Sequence, residues 1–139
     1  MKIFLLNFLF FLSIAVIGKC QDSMDSIAVK KPKTVTGIAS FYSLNLTGTK
    51  TATGERFDNK NMTAASNSFK LNTWVRVTNL RNDKSVIVRI NDRMSKHMAK
   101  KGRVIDLSRT AARKLQFMKR GLVKVRVEEV NKDTLESGC

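Results

Sequence analysis

The residue pattern predicts a small, mostly β fold: a barrel of several short strands accompanied by one amphipathic helix. Three observations carry this. Apolar and polar residues alternate through "WVRVTNL" (74–80), "SVIVRIN" (85–91) and "LVKVRVEEV" (122–130), the period-two pattern of half-buried strands. Turn-forming residues punctuate the stretches between. A single segment after Ser108 places Ala111, Ala112 and Leu115 at helical spacing.

Taken in order, the chain opens on a basic Met1-Lys2 followed by an almost wholly apolar run, Ile3 to Ile17. With the abrupt change at Gly18, this reads as a signal peptide over residues 1–20. The run is shorter than the roughly 20 apolar residues of a membrane-spanning helix. Cleavage near Cys20 or Gln21 is expected rather than lipid attachment at Cys20, because Lys19 stands where lipid attachment wants a small residue. Residues 21–35, with the only proline, Pro32, read as a flexible linker. "GIASFYS" (37–43) is a short β-rich run, and "TGTKTATGERFD" (47–58) is turn-rich. "MTAAS" (62–66) reads as one helical turn. "RNDK" (81–84) joins two strands as a hairpin. "MSKHMAKKGR" (94–103) is a basic loop, and "VID" (104–106) a short strand. Ser108 caps a helix through about Met118, ended by Gly121. The strand 122–130 follows, and 131–139 is expected to be a disordered tail.

The 26 Lys and Arg outnumber the 11 Asp and Glu by fifteen; with Lys2 and Lys19 removed, the charge is +13. Such a balance calls for an anionic partner. Export and the absence of aromatics interleaved with the cations argue against nucleic acid. An anionic membrane or envelope surface fits better. After cleavage only Cys139 remains, so no internal disulfide forms and packing must hold the fold. No residue spacing suggests a metal site, a phosphate loop or a serine nucleophile; neither metal nor cofactor is expected, and the chain is expected to be a monomer.

The blocks "GIASFYS", "GTKTATGERFD", "MTAAS", "WVRVTNL", "SVIVRINDR", "RVIDLSRTAARKL" and "GLVKVRVEEV" stand in the order found in RlpA-like (rare lipoprotein A) proteins, which residues 36–130 therefore resemble. The resemblance implies a six-stranded double-psi β-barrel with one or two short helices. It implies a periplasmic or cell-envelope lytic transglycosylase, a lyase acting on peptidoglycan glycan strands, preferentially those free of stem peptides. "VRINDR" matches the family motif that makes Asp92 the catalytic acid, with Asn91 and Arg93 beside it. "GERFD" matches two acidic cleft positions at Glu55 and Asp58. Ser66 stands where the family usually has histidine, and Met94-Ser95-Lys96 where it commonly has Gly-Pro and an aromatic. Tyr42 and Trp74 are candidates to stack on sugar rings.

A lytic transglycosylase needs only one working carboxyl. It protonates the leaving oxygen, then accepts the proton of the sugar's own C6 hydroxyl as the anhydro ring closes. If strand parity holds to the end of 85–92, Asp92 shares the apolar face of Val88 and Ile90, opposite Arg89 and Arg93. Without the resemblance, Asn91-Asp92 also suits a plain strand-ending turn, and Glu55 and Asp58 a solvated one. His97, five residues on, reads as a loop histidine, and Asp106 as a cap near the helix start. The alternative function is a non-catalytic, expansin-like module that binds cell-wall glycan.

Overall fold

The computed structural model describes residues 30–136. The signal peptide, the linker through Val29 and residues 137–139 lie outside the described residues. Six strands, β1 (Thr34–Phe41), β2 (Thr63–Ala65), β3 (Trp74–Asn79), β4 (Ser85–Asp92), β5 (Arg103–Leu107) and β6 (Val123–Glu129), close into a barrel in the order β1-β5-β2-β4-β3-β6. The β1–β5 and β2–β4 pairs are parallel, and the other four are antiparallel. Closure leaves no sheet edge unpaired. The described residues from Lys31 onward form one compact unit that completes its own sheet and core.

Alternation in the sequence becomes the inside and outside of the barrel. Val123, Val125 and Val127 of β6 point inward and are buried, while Lys124 and Arg126 between them are exposed. Val75, Val77, Val88, Ile90, Ile105 and Leu107 complete the interior, all without solvent exposure. Each such side chain contributes about 1.5–3 kcal/mol on burial, which holds this disulfide-free barrel together. Helix α2 (Arg109–Lys114) lays Ala111 and Ala112 on that core, with Leu115 at its end.

Several local expectations give way to tertiary context. "MTAAS" is not a helical turn: residues 63–65 are β2, wholly buried between β4 and β5. The alanines favour helix intrinsically, but pairing with β4 on one side and β5 on the other gives these residues strand geometry. The basic loop contains helix α1 (Lys96–Lys100), capped by Ser95 Oγ accepting from the Met98 amide. Helix α2 does begin at the Ser108 cap but stops at Lys114, because Gln116 adopts a left-handed φ of 59°. β1 starts at Thr34, inside the expected linker, because Thr34 and Val35 pair with Glu128 and Val127. The expected tail carries a short helix α3 (Lys132–Glu136), where Asn131 Oδ1 accepts the Asp133 amide.

Two bulges shape the functional face. Val104 is the extra residue of β5 opposite β1. It crowds Gly37 so closely that a Cβ there would sit 2.4 Å from Val104 Cγ1. Asn91 is the extra residue of β4: Ala64 pairs with Ile90, but Ala65 pairs with Asp92. A bulge reverses side-chain parity beyond it.

Candidate active site

The Asn91 bulge corrects the expected orientation of Asp92. Asn91 and Ile90 are buried in succession, and Asp92 emerges half-buried on the outer face rather than beside Val88 and Ile90. Register then aligns Ser40, Asp106, Ala65 and Asp92 as a row across β1, β5, β2 and β4. At about 4.8 Å between strands, the two acids stand roughly 10 Å apart.

The turn-rich loop 47–58 folds over the end of β4. Lys50 bridges to Arg56, Thr51 N donates to Glu55 O at 2.8 Å, and Gly54 supplies a φ of 89°. The loop is fastened to β4 by Thr53 N donating to Asn91 O at 3.2 Å. The amides of Ala52 (3.0 Å) and Arg93 (2.8 Å) both donate to Asp92 Oδ1.

The other carboxyl oxygen, Oδ2, accepts from Tyr42 Oη at 2.8 Å. Tyr42 follows β1 and lies against Phe57, ring centroids 4.0 Å apart, in a small outer cluster with Ala65 and Met94. Met94 is held in turn by Asn67, which accepts its amide at 3.0 Å and donates to its carbonyl at 2.9 Å. Burial, then the bond to Asp92, pushes the Tyr42 phenol far above its ordinary range. Tyr42 is thus a permanent donor to Asp92. Its ring is covered by Phe57 rather than open for stacking on a sugar.

Glu55 is held differently. Arg89 grips both of its oxygens, Nη1 to Oε1 at 2.7 Å and Nη2 to Oε2 at 2.6 Å, and Thr53 Oγ1 donates to Oε1 at 2.8 Å. The Arg89 hydrogen bonds, then that of Thr53, lower its pKa to about 2. Arg89 is also steered by Asn72 Oδ1 at 2.9 Å. Glu55 is therefore a fixed negative charge.

The remaining candidates divide. Asn91 is buried, its Oδ1 without a partner among the described residues. Arg93 turns its guanidinium to the carbonyls of Ser66 (2.6 Å) and Phe69, away from the Asp92 carboxyl. Ser66 is fully buried, its hydroxyl donating to Val104 O at 2.7 Å, while its amide donates to Asp92 O at 3.1 Å. Asp58 accepts the Lys60 amide within its own turn and makes no bond to Asp92 or Glu55. Trp74 lies opposite Arg89 at the start of β3, and His97 is exposed on α1. Asp106 is not the helix cap, which is Ser108. It is buried and accepts from Ser40 Oγ at 2.9 Å, and burial raises its pKa. Sequence reasoning missed the Asn67–Met94 clasp and the Arg89–Glu55 grip. Both join residues distant in the chain and leave no local signal.

Residues 34–127 match the family described as "Lytic transglycolase". The chain is 50% identical over 97 residues to the endolytic peptidoglycan transglycosylase RlpA of Pasteurella multocida, covering 70% of this chain and 32% of that relative. It spans about a third of the length of the curated relatives it matches. Among solved structures it is similar to the Streptomyces papain inhibitor (TM-score 0.57, 23% identity, 71% of this chain and 96% of that one). It is also similar to the apo form of the Clavibacter michiganensis expansin (TM-score 0.55, 23% identity, 72% and 52%). These two likenesses concern the fold, which is the double-psi β-barrel expected from the sequence. Over residues 34–127, nearly all of its closed barrel, this chain belongs to the lytic transglycolase family and is RlpA-like.

Proposed function

We propose that the protein is an endolytic peptidoglycan lytic transglycosylase of the cell envelope, exported to the periplasm, that cuts MurNAc–GlcNAc β-1,4 bonds with Asp92 as its acid and base. One observation carries the reading: at the bulged end of β4, a half-exposed carboxyl is oriented by a phenol and two amides, with no cationic side chain among the described residues bonded to it. The activity named for the RlpA relatives supports it.

In this mechanism protonated Asp92 gives its proton to the GlcNAc O4 as the C1–O4 bond breaks. The C6 hydroxyl of the same MurNAc closes on C1, and its proton returns to the Asp92 carboxylate. No water is consumed, and the acid is regenerated. Tyr42 and the two amides hold the carboxyl in place. Glu55, paired with Arg89, ties the loop 47–58 to β4 and so holds the Ala52 amide on Asp92. Arg93, Asn91 and Ser66 position the strand end and the loop facing it, and Asp58 shapes the turn beside Phe57. Glycan strands without stem peptides are the preferred substrate.

A second reading is a glycan-binding module without catalysis. It is favoured by Ser66, whose hydroxyl is spent on β5 and supplies no further titrating group beside Asp92. The test is mass analysis of soluble products after residues 21–139 are incubated with denuded sacculi. Release of 1,6-anhydromuramyl fragments, lost in a folded Asp92→Asn variant, is the expected result. Binding to sacculi without release would replace the enzyme by the module.

A further inference from the structure

Away from Asp92 and Glu55 lies a groove of about 480 Å³ lined by β1, β5 and β6 and by the segments that follow β3, α1 and α2. Five cations line it: Arg81, Lys101, Arg103, Arg120 and Lys124. Among the described residues, no carboxylate does. The ion pairs among the described residues, Arg89–Glu55 and Arg126–Glu128, involve none of the five. Ile38 and Val123 give the groove apolar walls, and Leu80 and Leu122 stand on it 37% and 44% exposed. Leu80 is held there by its amide donating to Lys124 O at 3.0 Å. The Leu80–Arg81 corner and Asp92 are at opposite ends of β4, whose eight residues span about 25 Å. The groove shares no residue with the acid site.

A water-soluble polyanion would satisfy the five charges but gain nothing from two exposed leucines among them. An anionic bilayer uses both: its headgroups meet the cations, and the leucines enter the boundary with the acyl chains. Long Lys and Arg stems lie along such a boundary while keeping their charges among the headgroups. We propose that this groove is a docking surface for the anionic headgroup layer of a lipid bilayer. It would hold the barrel against a membrane while leaving the Asp92 end of β4 directed elsewhere. The proposal does not depend on catalysis.

The test is co-sedimentation of residues 21–139 with vesicles of phosphatidylcholine alone, or of phosphatidylcholine and phosphatidylglycerol in equal parts. Soluble polyphosphate serves as the competing anion. Binding is expected to the anionic vesicles and not to the neutral ones. Arg81→Glu/Arg120→Glu should weaken it by about tenfold or more. Leu80→Ser/Leu122→Ser should weaken vesicle binding several-fold and leave polyphosphate binding unchanged. Arg113→Glu/Lys114→Glu, an equal charge change on α2, should alter vesicle binding far less. Circular dichroism checks that each variant is folded. Equal binding to both kinds of vesicle, or an α2 variant as damaging as the groove variant, overturns the proposal. So does a leucine variant that binds vesicles like the parent, since charge alone would then be the attraction.

Discussion

Two acids beside the end of β4 are held by opposite means. Glu55, on the loop, is clamped by the two nitrogens of Arg89 and has a pKa of about 2. Asp92, on the strand, is held by two amides and a phenol that stays protonated. A cation in bidentate contact fixes a charge. Neutral donors fix a direction and leave the carboxyl without a counter-charge. A substitution therefore removes a paired charge at Glu55 and an orientation at Asp92.

The largest expected effect tests that division directly. Asp92→Asn should lower product release by about 10²–10⁴-fold, the range of a lost general acid–base group, with its circular dichroism and melting unchanged. Glu55→Gln assayed beside it should lose far less; equal losses would erase the distinction between the two acids. Next comes Tyr42→Phe, which keeps the ring on Phe57 and removes one donor from Asp92. A hydrogen bond to a charged group contributes about 1.5–3 kcal/mol, so kcat should fall about ten- to a hundredfold with KM little changed. A change confined to KM would make Tyr42 a sugar contact instead.

The smaller effects concern stability. Burial raises the Asp106 carboxyl above its ordinary 3.8, so the folded state keeps a proton that the unfolded chain releases. Its contribution to stability therefore declines as pH rises from 3.8 through the native value. Asp106→Asn retains the contact with Ser40 and should flatten that part of the profile in urea titrations run from about pH 4 upward. An unchanged slope would mean that Asp106 titrates as in the unfolded chain. Glu55 has the opposite sign. Its lowered pKa gives stability present above the ordinary 4.5 and lost as pH falls toward about 2. With its side chain 41% exposed, solvent screening keeps the pair to about 1 kcal/mol or less. Glu55→Gln should therefore melt slightly below the parent at neutral pH and converge with it in acid.

Much of the barrel was legible because its strands carry their inside and outside in the residue order. β3, β4 and β6 alternate, Ser108 announces α2, and Ala111, Ala112 and Leu115 form the expected buried stripe. β2 was not legible, since three small residues acquire strand geometry only when two neighbours flank them. That the loop of Glu55 meets the strand end of Asp92 was expected from the sequence; how each carboxyl is held was not legible. Parity along β4 pointed Asp92 to the apolar face. The bulge at Asn91 turned it outward, and a bulge exists only in the register between two strands.

By itself, the sequence determined a small, cationic, mostly β barrel with an acid following one of its alternating strands. Those properties follow from local alternation, composition and the identity of one residue. Only the tertiary structure decided which way that acid points, that Arg89 takes Glu55 while Tyr42 takes Asp92, and that five scattered cations meet at one groove. Each of these depends on residues tens of positions apart being brought to adjacent strands. The register that places them is set by the packing of the whole barrel, not by any one segment.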